Sequence, residues 1–234
     1  MSQLHFARRM LSVTGTARNH PEGAEMTRIF AIIAAAVILA LTAGIYVATL
    51  VGRNDDKFAQ CRASAVAGGS GQIGGAFTLM DETGATVTDK DVITEPTLIY
   101  FGYTYCPDIC PYDAARNAET VTILEDQGIS VKPVFITIDP ERDTPEQLAD
   151  FTDYLHPRMV GLTGTPEQIA AASKSYRTYF KKQPSSDGDD DYYLVDHSTF
   201  SYLTLPEEGF VEYFRRDVSA QEMADRIGCF VDAI

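Results

Sequence analysis

Two cysteines stand four positions apart in Gly102-Tyr103-Thr104-Tyr105-Cys106-Pro107-Asp108-Ile109-Cys110-Pro111. A thiolate is both a nucleophile and a ligand for soft metal ions, so their surroundings decide what they can do. Residues 97–101, Thr-Leu-Ile-Tyr-Phe, form an apolar run that reads as a buried strand. Residues 112–127 read as a helix, closed by Gly128 where a helix C-terminus favours glycine. The cysteines are therefore expected at a strand-to-helix turn, where the positive end of the helix dipole favours thiolate near neutral pH. Their spacing is C-x-x-x-C, one residue longer than the C-x-x-C of thiol–disulfide exchangers. In a helical turn, positions four apart lie one above the other on one face. Two sulfurs so placed converge on one thiophilic ion, and Cu(I) is the first-row ion best matched to them. The plainer alternative is a pair of ordinary cysteines that merely form a disulfide. A proline after each and a strand directly before them favour a functional site.

Spacing alone does not supply a third donor. His5 and His20 fall in a polar N-terminal stretch, and His156 precedes Pro157 at an expected helix end, a capping or surface position. His197 lies in Asp196-His197-Ser198 at the break between two expected strands, but a lone histidine is usually structural. Cys61 and Cys229 have no cysteine or histidine at ligand spacing, which argues against a second metal site. Unpaired thiols in an oxidising compartment invite mispairing and damage, so Cys61 and Cys229 are expected to pair as a structural disulfide. The alternative is a buried Cys229 with Cys61 free in a tether. The run of Asp187, Asp189, Asp190 and Asp191 reads as a solvated loop.

The elements that must position these residues follow from pattern. Residues 76–80 and 85–88 flank a turn and read as a hairpin. Residues 131–138 form a second core strand, ending at Asp139-Pro140-Glu141-Arg142-Asp143. Thr144-Pro145-Glu146-Gln147 and Thr165-Pro166-Glu167-Gln168 each open a helix with a capping box and proline at the first position. The second of these helices is expected to run to about Phe180. The flanks of the two copies differ, so this is convergent capping and not a repeat. Residues 159–162 form a short strand, 192–195 and 199–205 are strand-like, and 206–209 turn into a strand at 210–214. Ser219-Ala220-Gln221-Glu222 is a third capping box, opening a last helix to about Val231. The order is hairpin, strand, helix, strand, helix, strand, helix, hairpin, helix. It predicts an α/β, thioredoxin-like fold: a mixed central sheet flanked by helices, with an added hairpin.

The chain has 234 residues, enough for one membrane anchor and one compact domain. Residues 29–51 are uncharged and long enough to span a bilayer. They are also longer than a signal-peptide core of about 7–15 residues, which favours an uncleaved anchor over the rival site at Thr42-Ala43-Gly44. Arg8, Arg9, Arg18 and Arg28 precede this run, whereas Asp55 and Asp56 follow it. The positive-inside rule then places the N-terminus in the cytoplasm and the rest across the membrane. The expected organisation is a cytoplasmic tail over 1–28, with Met26 an alternative start, an anchor over 29–51, a linker over 52–75 and a folded domain over 76–234. The net charge of −14 is uneven: residues 1–54 hold 5 basic and 2 acidic side chains, leaving 14 against 31 beyond them. So acidic a domain argues against nucleic acid or an anionic membrane surface as partner and favours a basic protein surface or a cation.

Three motifs together resemble the Sco/SenC family: the cysteine segment at 102–111, Ile138-Asp139-Pro140-Glu141-Arg142-Asp143-Thr144-Pro145-Glu146, and Tyr193-Leu194-Val195-Asp196-His197-Ser198. They occur in the family's order, and the resemblance covers roughly residues 70–230. The resemblance implies a membrane-anchored, thioredoxin-like copper protein that helps assemble cytochrome c oxidase. It makes Cys106, Cys110 and His197 the copper ligands and puts Asp139 behind them as a supporting acidic residue. Two thiolates and an imidazole suit trigonal Cu(I), and the imidazole also lets the site hold Cu(II). Tyr105 departs from the histidine that many members carry just before the first cysteine. The implied partners are the copper-site subunit of the oxidase and other periplasmic copper carriers. The implied location is a bacterial inner membrane with the domain in the periplasm, or the intermembrane space of a mitochondrion.

The leading reading is a copper metallochaperone rather than an enzyme. A thiol–disulfide oxidoreductase that reduces the oxidase's copper-site cysteines needs only Cys106 and Cys110, so His197 discriminates between the two. A peroxidase expects Thr-x-x-Cys, whereas Thr104 lies only two residues before Cys106. A redox or copper sensor is a further alternative.

Overall fold

The computed structural model describes residues 21–53, 57–62, 73–184 and 193–234. The tail through His20, the pair Asp55 and Asp56, most of the glycine-rich tether, and the loop with Asp187, Asp189, Asp190, Asp191 and Tyr192 lie outside them. The chain divides into two compact units, Met1–Asp56 and Lys57–Ile234. In the first, helix α1 (Pro21–Arg53) contains the stretch Glu25–Thr49, which is long and apolar enough to cross a membrane.

The second unit begins its regular structure with β1 (Thr78–Asp81), β2 (Thr86–Thr88) and a single turn of helix, α2 (Asp89–Val92). Then come β3 (Thr97–Gly102), α3 (Ile109–Asp126), β4 (Lys132–Thr137), α4 (Pro145–Leu155), β5 (Val160–Thr163) and α5 (Pro166–Ser175). The chain closes with β6 (Phe180–Lys182), β7 (Val195–His197), β8 (Ser201–Leu205), β9 (Gly209–Phe214) and α6 (Ala220–Asp232). Seven strands form one sheet in the order β2-β1-β5-β4-β3-β8-β9, with β6 and β7 as a separate ribbon. β3, β4 and β5 run parallel, and β1 and β8 lie antiparallel to their neighbours β5 and β3. This is the expected thioredoxin-like α/β arrangement of a mixed sheet between helices.

β3 lies near the middle of the sheet and is buried throughout, which is why it reads as an unbroken apolar run. Its side chains alternate between faces. Leu98 packs with Val121 and Leu124 of α3, and the Tyr100 hydroxyl reaches Asp113 of α3 at 3.1 Å. Phe101 points the other way, its ring 5.5 Å from Tyr176 beyond α5. Each fully buried side chain of this size contributes on the order of 1.5–3 kcal/mol. At the strand's end, a Cβ on Gly102 would lie 2.8 Å from the Tyr100 ring and 3.0 Å from Phe135, so only glycine passes there.

Four expectations need correction. Helix α3 starts at Ile109, ahead of Pro111 and not after it. A proline in the first helical turn sacrifices no bond, because that turn's N–H groups have no intrahelical partner. Helix α5 ends at Ser175, five residues before Phe180. Tyr176 is pinned beneath the sheet against Phe101 and Tyr202, Arg177 turns with φ of 52°, and Phe180 enters β6 opposite His197. His156 caps α4 as expected but is buried, its Nδ1 accepting from the Arg158 N–H and its Nε2 3.4 Å from Glu125. Residues 57–62, read as part of the linker, also pack on the folded unit: Phe58 is buried with its ring 5.3 Å from Phe230, and Cys61 is disulfide-bonded to Cys229.

Candidate metal centre

Three segments meet at one end of the sheet because of its strand directions. β3 and β4 are parallel neighbours, so the cysteine turn and the segment 138–143 leave the sheet side by side, and the Ile138 N–H donates to the Gly102 carbonyl at 2.8 Å. β8 runs antiparallel to β3 with Ser201 opposite Tyr100, so the residues entering β8 arrive at that same end. Ligands in open α/β sheets gather in such crevices at the carboxyl ends of parallel strands.

Here the structure brings Cys106, Cys110 and His197 together, with both Sγ atoms and an imidazole nitrogen all within 4.8 Å of one another. Cys106 sits in the turn and is 9% exposed, while Cys110 is fully buried in the first turn of α3. The Cys110 N–H, one of the helix's unsatisfied donors, points at Cys106 Sγ from 3.2 Å. The two thiols are unequal. Cys106 is held down to about 3, chiefly because its sulfur accepts a hydrogen bond from the Cys110 thiol, against the opposing effect of burial. Bonds from the Cys110 and Asp108 backbone add to it. Cys110 is pushed well above the thiol range by donating that bond and by its own burial. The apo pair thus holds one thiolate and one thiol.

His197 is fixed in both position and tautomer. Its ring stands edge-on to Tyr100 and Tyr103, with centroids 6.2 and 5.9 Å away. Its Nδ1 lies 2.8 Å from the Ser198 carbonyl, which can only accept, so Nδ1 carries the proton. In the neutral ring Nε2 is then the free lone pair, and it faces Cys110 Sγ at 3.2 Å. The β6 ribbon holds the histidine segment: Phe180 lies opposite His197, and the Ser198 N–H donates to the Tyr179 carbonyl at 2.9 Å. Two soft sulfurs and one imidazole nitrogen, mutually close and shielded from water, suit a soft or borderline ion such as copper.

Asp139 is not one of the three converging groups. It is buried, takes the Arg142 Nε at 2.5 Å and accepts from the Tyr193 hydroxyl at 2.6 Å. The Arg142 guanidinium lies 3.6 Å from the Tyr193 ring centre and 4.9 Å from that of Tyr105, so Asp139 reaches the site through Arg142. The residue that grips the cysteine turn directly is Asp143, which sequence reasoning missed. Its carboxylate accepts from the Thr104 N–H at 3.0 Å, the Thr104 hydroxyl at 2.6 Å and the Thr137 hydroxyl at 2.6 Å. Burial pushes its pKa up while these bonds oppose the shift. The usable signal was position: Asp143 follows the strand beside β3 by a few residues. Tyr100 and Tyr103, the walls around the imidazole, gave no signal beyond their apolar context.

Residues 66–232 match the SCO1/SenC family. The chain is 52% identical over 206 residues to protein SenC of Rhodobacter capsulatus, covering 87% of this chain and 91% of SenC. It superposes on Arabidopsis thaliana ScoI with copper bound at a TM-score of 0.64 with 40% identity, over 68% of this chain and 99% of that one. BsSco, described as a member of the Sco family of cytochrome c oxidase assembly proteins and as carrying a disulfide switch, matches at a TM-score of 0.51 and 25% identity, over 68% of this chain and 91% of that one. Several eukaryotic relatives are longer, and the chain spans between 47% and 62% of their length. With the family match running across most of the folded unit, the chain belongs to the SCO1/SenC family.

Proposed function

We propose that this protein is a membrane-anchored copper metallochaperone that delivers copper to the binuclear centre of cytochrome c oxidase during assembly. The observation that carries this is the convergence of two cysteine sulfurs and a tautomer-fixed imidazole at the end of the sheet. Cys106 and Cys110 bind as thiolates and His197 binds through Nε2, while Asp139 orients the surrounding loops through Arg142. A bound copper ion holds Cys110 as thiolate, so loading releases its proton. The buried ring walls keep water off the site. Residues 29–51 anchor the chain with the arginine-flanked side in the cytoplasm, and 76–234, extended back to the residues clipped by Cys61, form the copper-binding domain. That domain lies in the periplasm, where it meets the oxidase's copper-site subunit and other copper carriers.

The test is metal analysis of the full chain purified anaerobically in detergent. Wild type should hold one copper per chain and develop Cu(II)–thiolate charge-transfer absorption on adding Cu(II). His197→Ala should lose at least about 100-fold in copper affinity, since even outer partners of a metal site cost about 10–100-fold. Undiminished affinity in that variant refutes the assignment.

A second reading, thiol–disulfide exchange with the oxidase's own cysteines, is favoured by the acidified, slightly accessible Cys106 beside a reduced Cys110. It predicts that His197→Ala keeps reductant activity.

A further inference from the structure

Beside Cys106 the surface opens into an acidic, aromatic groove. One shallow hollow of about 380 Å³ is lined by Tyr105, Gln147, Asp150, Phe151 and Tyr154. A second, of about 520 Å³, shares Tyr154 and continues between α3 and α4 past Ala115, Glu119 and Ile123. Tyr154 is 88% exposed and Tyr105 51%. The Tyr105 hydroxyl accepts from Gln147 Nε2 at 3.0 Å, which ties the residue before Cys106 to the groove's α4 wall. Glu119 and Asp150 are exposed, and among the described residues no ion pair includes either. Helix α4 carries Glu146, Asp150 and Asp153 and no lysine or arginine.

Exposed carboxylates alone are an ordinary solvated helix face. Here they rim a groove floored by aromatic rings, which are enriched where partners bind tightly, and the groove begins at the residue before Cys106. We propose that the α3–α4 groove is the docking surface for a lysine- or arginine-bearing segment of the protein that exchanges copper with Cys106 and Cys110. The proposal rests on the metallochaperone reading. Unpaired carboxylates steer a cationic segment in, and Tyr154 and Phe151 give it a surface to bury. So seated, the partner's metal ligands come level with Cys106, the more accessible of the two sulfurs. Transfer leaves the oxidation state of copper unchanged. Each bond from a partner ligand replaces one from this chain, and a proton released by an incoming thiol is taken up by the departing thiolate.

The test uses the copper-loaded full chain in detergent and the copper-free copper-site domain of cytochrome c oxidase, with transfer followed by stopped flow. Glu119→Lys/Asp150→Lys/Tyr154→Ala should slow the second-order rate at least about tenfold, with copper content and melting temperature unchanged. Raising salt from about 20 to about 300 mM should slow wild type and leave this variant nearly flat. Glu207→Lys/Asp225→Lys, two equal charge changes outside the groove, should transfer as wild type does. Wild-type rates in the groove variant overturn the docking surface and leave the metallochaperone reading standing. A wild-type chain that loads copper but passes none overturns both. If sedimentation shows a wild-type dimer that the groove substitutions dissolve, the groove's occupant is a second copy and the proposal is wrong.

Discussion

At the scale of single residues, the site works by making two chemically identical side chains different. Cys106 sits where a thiol and a backbone N–H both point at its sulfur, while Cys110 is buried and donates its proton to its neighbour. That asymmetry has a measurable consequence for the reduced, copper-free chain. Between about 3 and the ordinary thiol range near about 8.5 the folded chain has released Cys106's proton and the unfolded chain has not, so stability rises with pH across that window. The contribution is fully present above the unfolded value and is lost as pH falls toward 3. Above the ordinary range the sign reverses, because the unfolded chain gives up both protons while folded Cys110 keeps its own. Denaturant unfolding against pH should therefore show a maximum near the thiol range that is absent from the Cys106→Ser/Cys110→Ser variant. Alkylation of the native reduced chain at neutral pH should modify Cys106 well before Cys110. Equal rates at the two cysteines, or a pH profile matching the double variant, would refute the asymmetry.

At the scale of elements, what the sequence made legible was local. The two Thr-Pro-Glu-Gln boxes appear as expected, each threonine hydroxyl accepting from the N–H three residues on and each glutamine reaching back. Gly128 takes its positive φ of 79° just past α3, and of the expected third capping box the N-cap half forms, Ser219 accepting from the Glu222 N–H. Those features are decided within four residues, so pattern finds them. The end of α5 was not decided locally. Tyr176 and Phe180 keep apolar spacing, but the first is held by aromatic rings across the sheet and the second by pairing with the segment that carries His197. The three proposed ligands could be named from the resemblance, whereas the groups that hold them could not. Asp143 and Thr104 are 39 residues apart, and only the parallel pairing of β3 with β4 brings them together. This clamp should matter more than its distance from the metal implies. Asp143→Ala leaves the Thr104 N–H and two hydroxyls without their acceptor, which costs about 1–3 kcal/mol for an unsatisfied buried group. The loosened turn should also bind copper more weakly. Thr104→Val removes only one of those bonds and should fall between wild type and Asp143→Ala in both measures. A copper titration showing full affinity in Asp143→Ala would mean the turn holds itself.

At the scale of the whole folded unit, the metal end of the sheet and the disulfide belong to different parts of the core. Cys106, Cys110 and Tyr103 lie in one hydrophobic cluster, while Cys61 packs in another with Phe58, Leu203, Phe214 and the buried face of α6. The Cys61–Cys229 bond, with Cα atoms 5.6 Å apart, closes a loop of 168 residues that contains Cys106, Cys110 and His197. Closing so long a loop removes unfolded-chain entropy worth about 5 kcal/mol in the chain-entropy account, which is an upper figure. The bond also has local work: it clips residues 57–62 to the last helix, where Phe58 buries its ring against Phe230 and Arg62 Nε donates to the Val211 carbonyl at 3.1 Å. Removing it should therefore lower stability without touching copper chemistry. The Cys61→Ser/Cys229→Ser variant should unfold at lower denaturant, by up to about 5 kcal/mol in stability, and melt well below wild type. Its copper stoichiometry, charge-transfer spectrum and affinity should be unchanged, because Cys106, Cys110 and His197 keep their own supports in Asp143, Tyr103 and the β6 ribbon. Reduction of wild type should show the same separation, with loss of the Cys61–Cys229 bond moving the midpoint while leaving the two site thiols free to load. A variant that stays as stable as wild type would show that burial of Phe58 and α6 already holds this end. A variant that loses copper binding while still folded would show that the two clusters are coupled through β3, whose Leu98 and Tyr100 reach one cluster each.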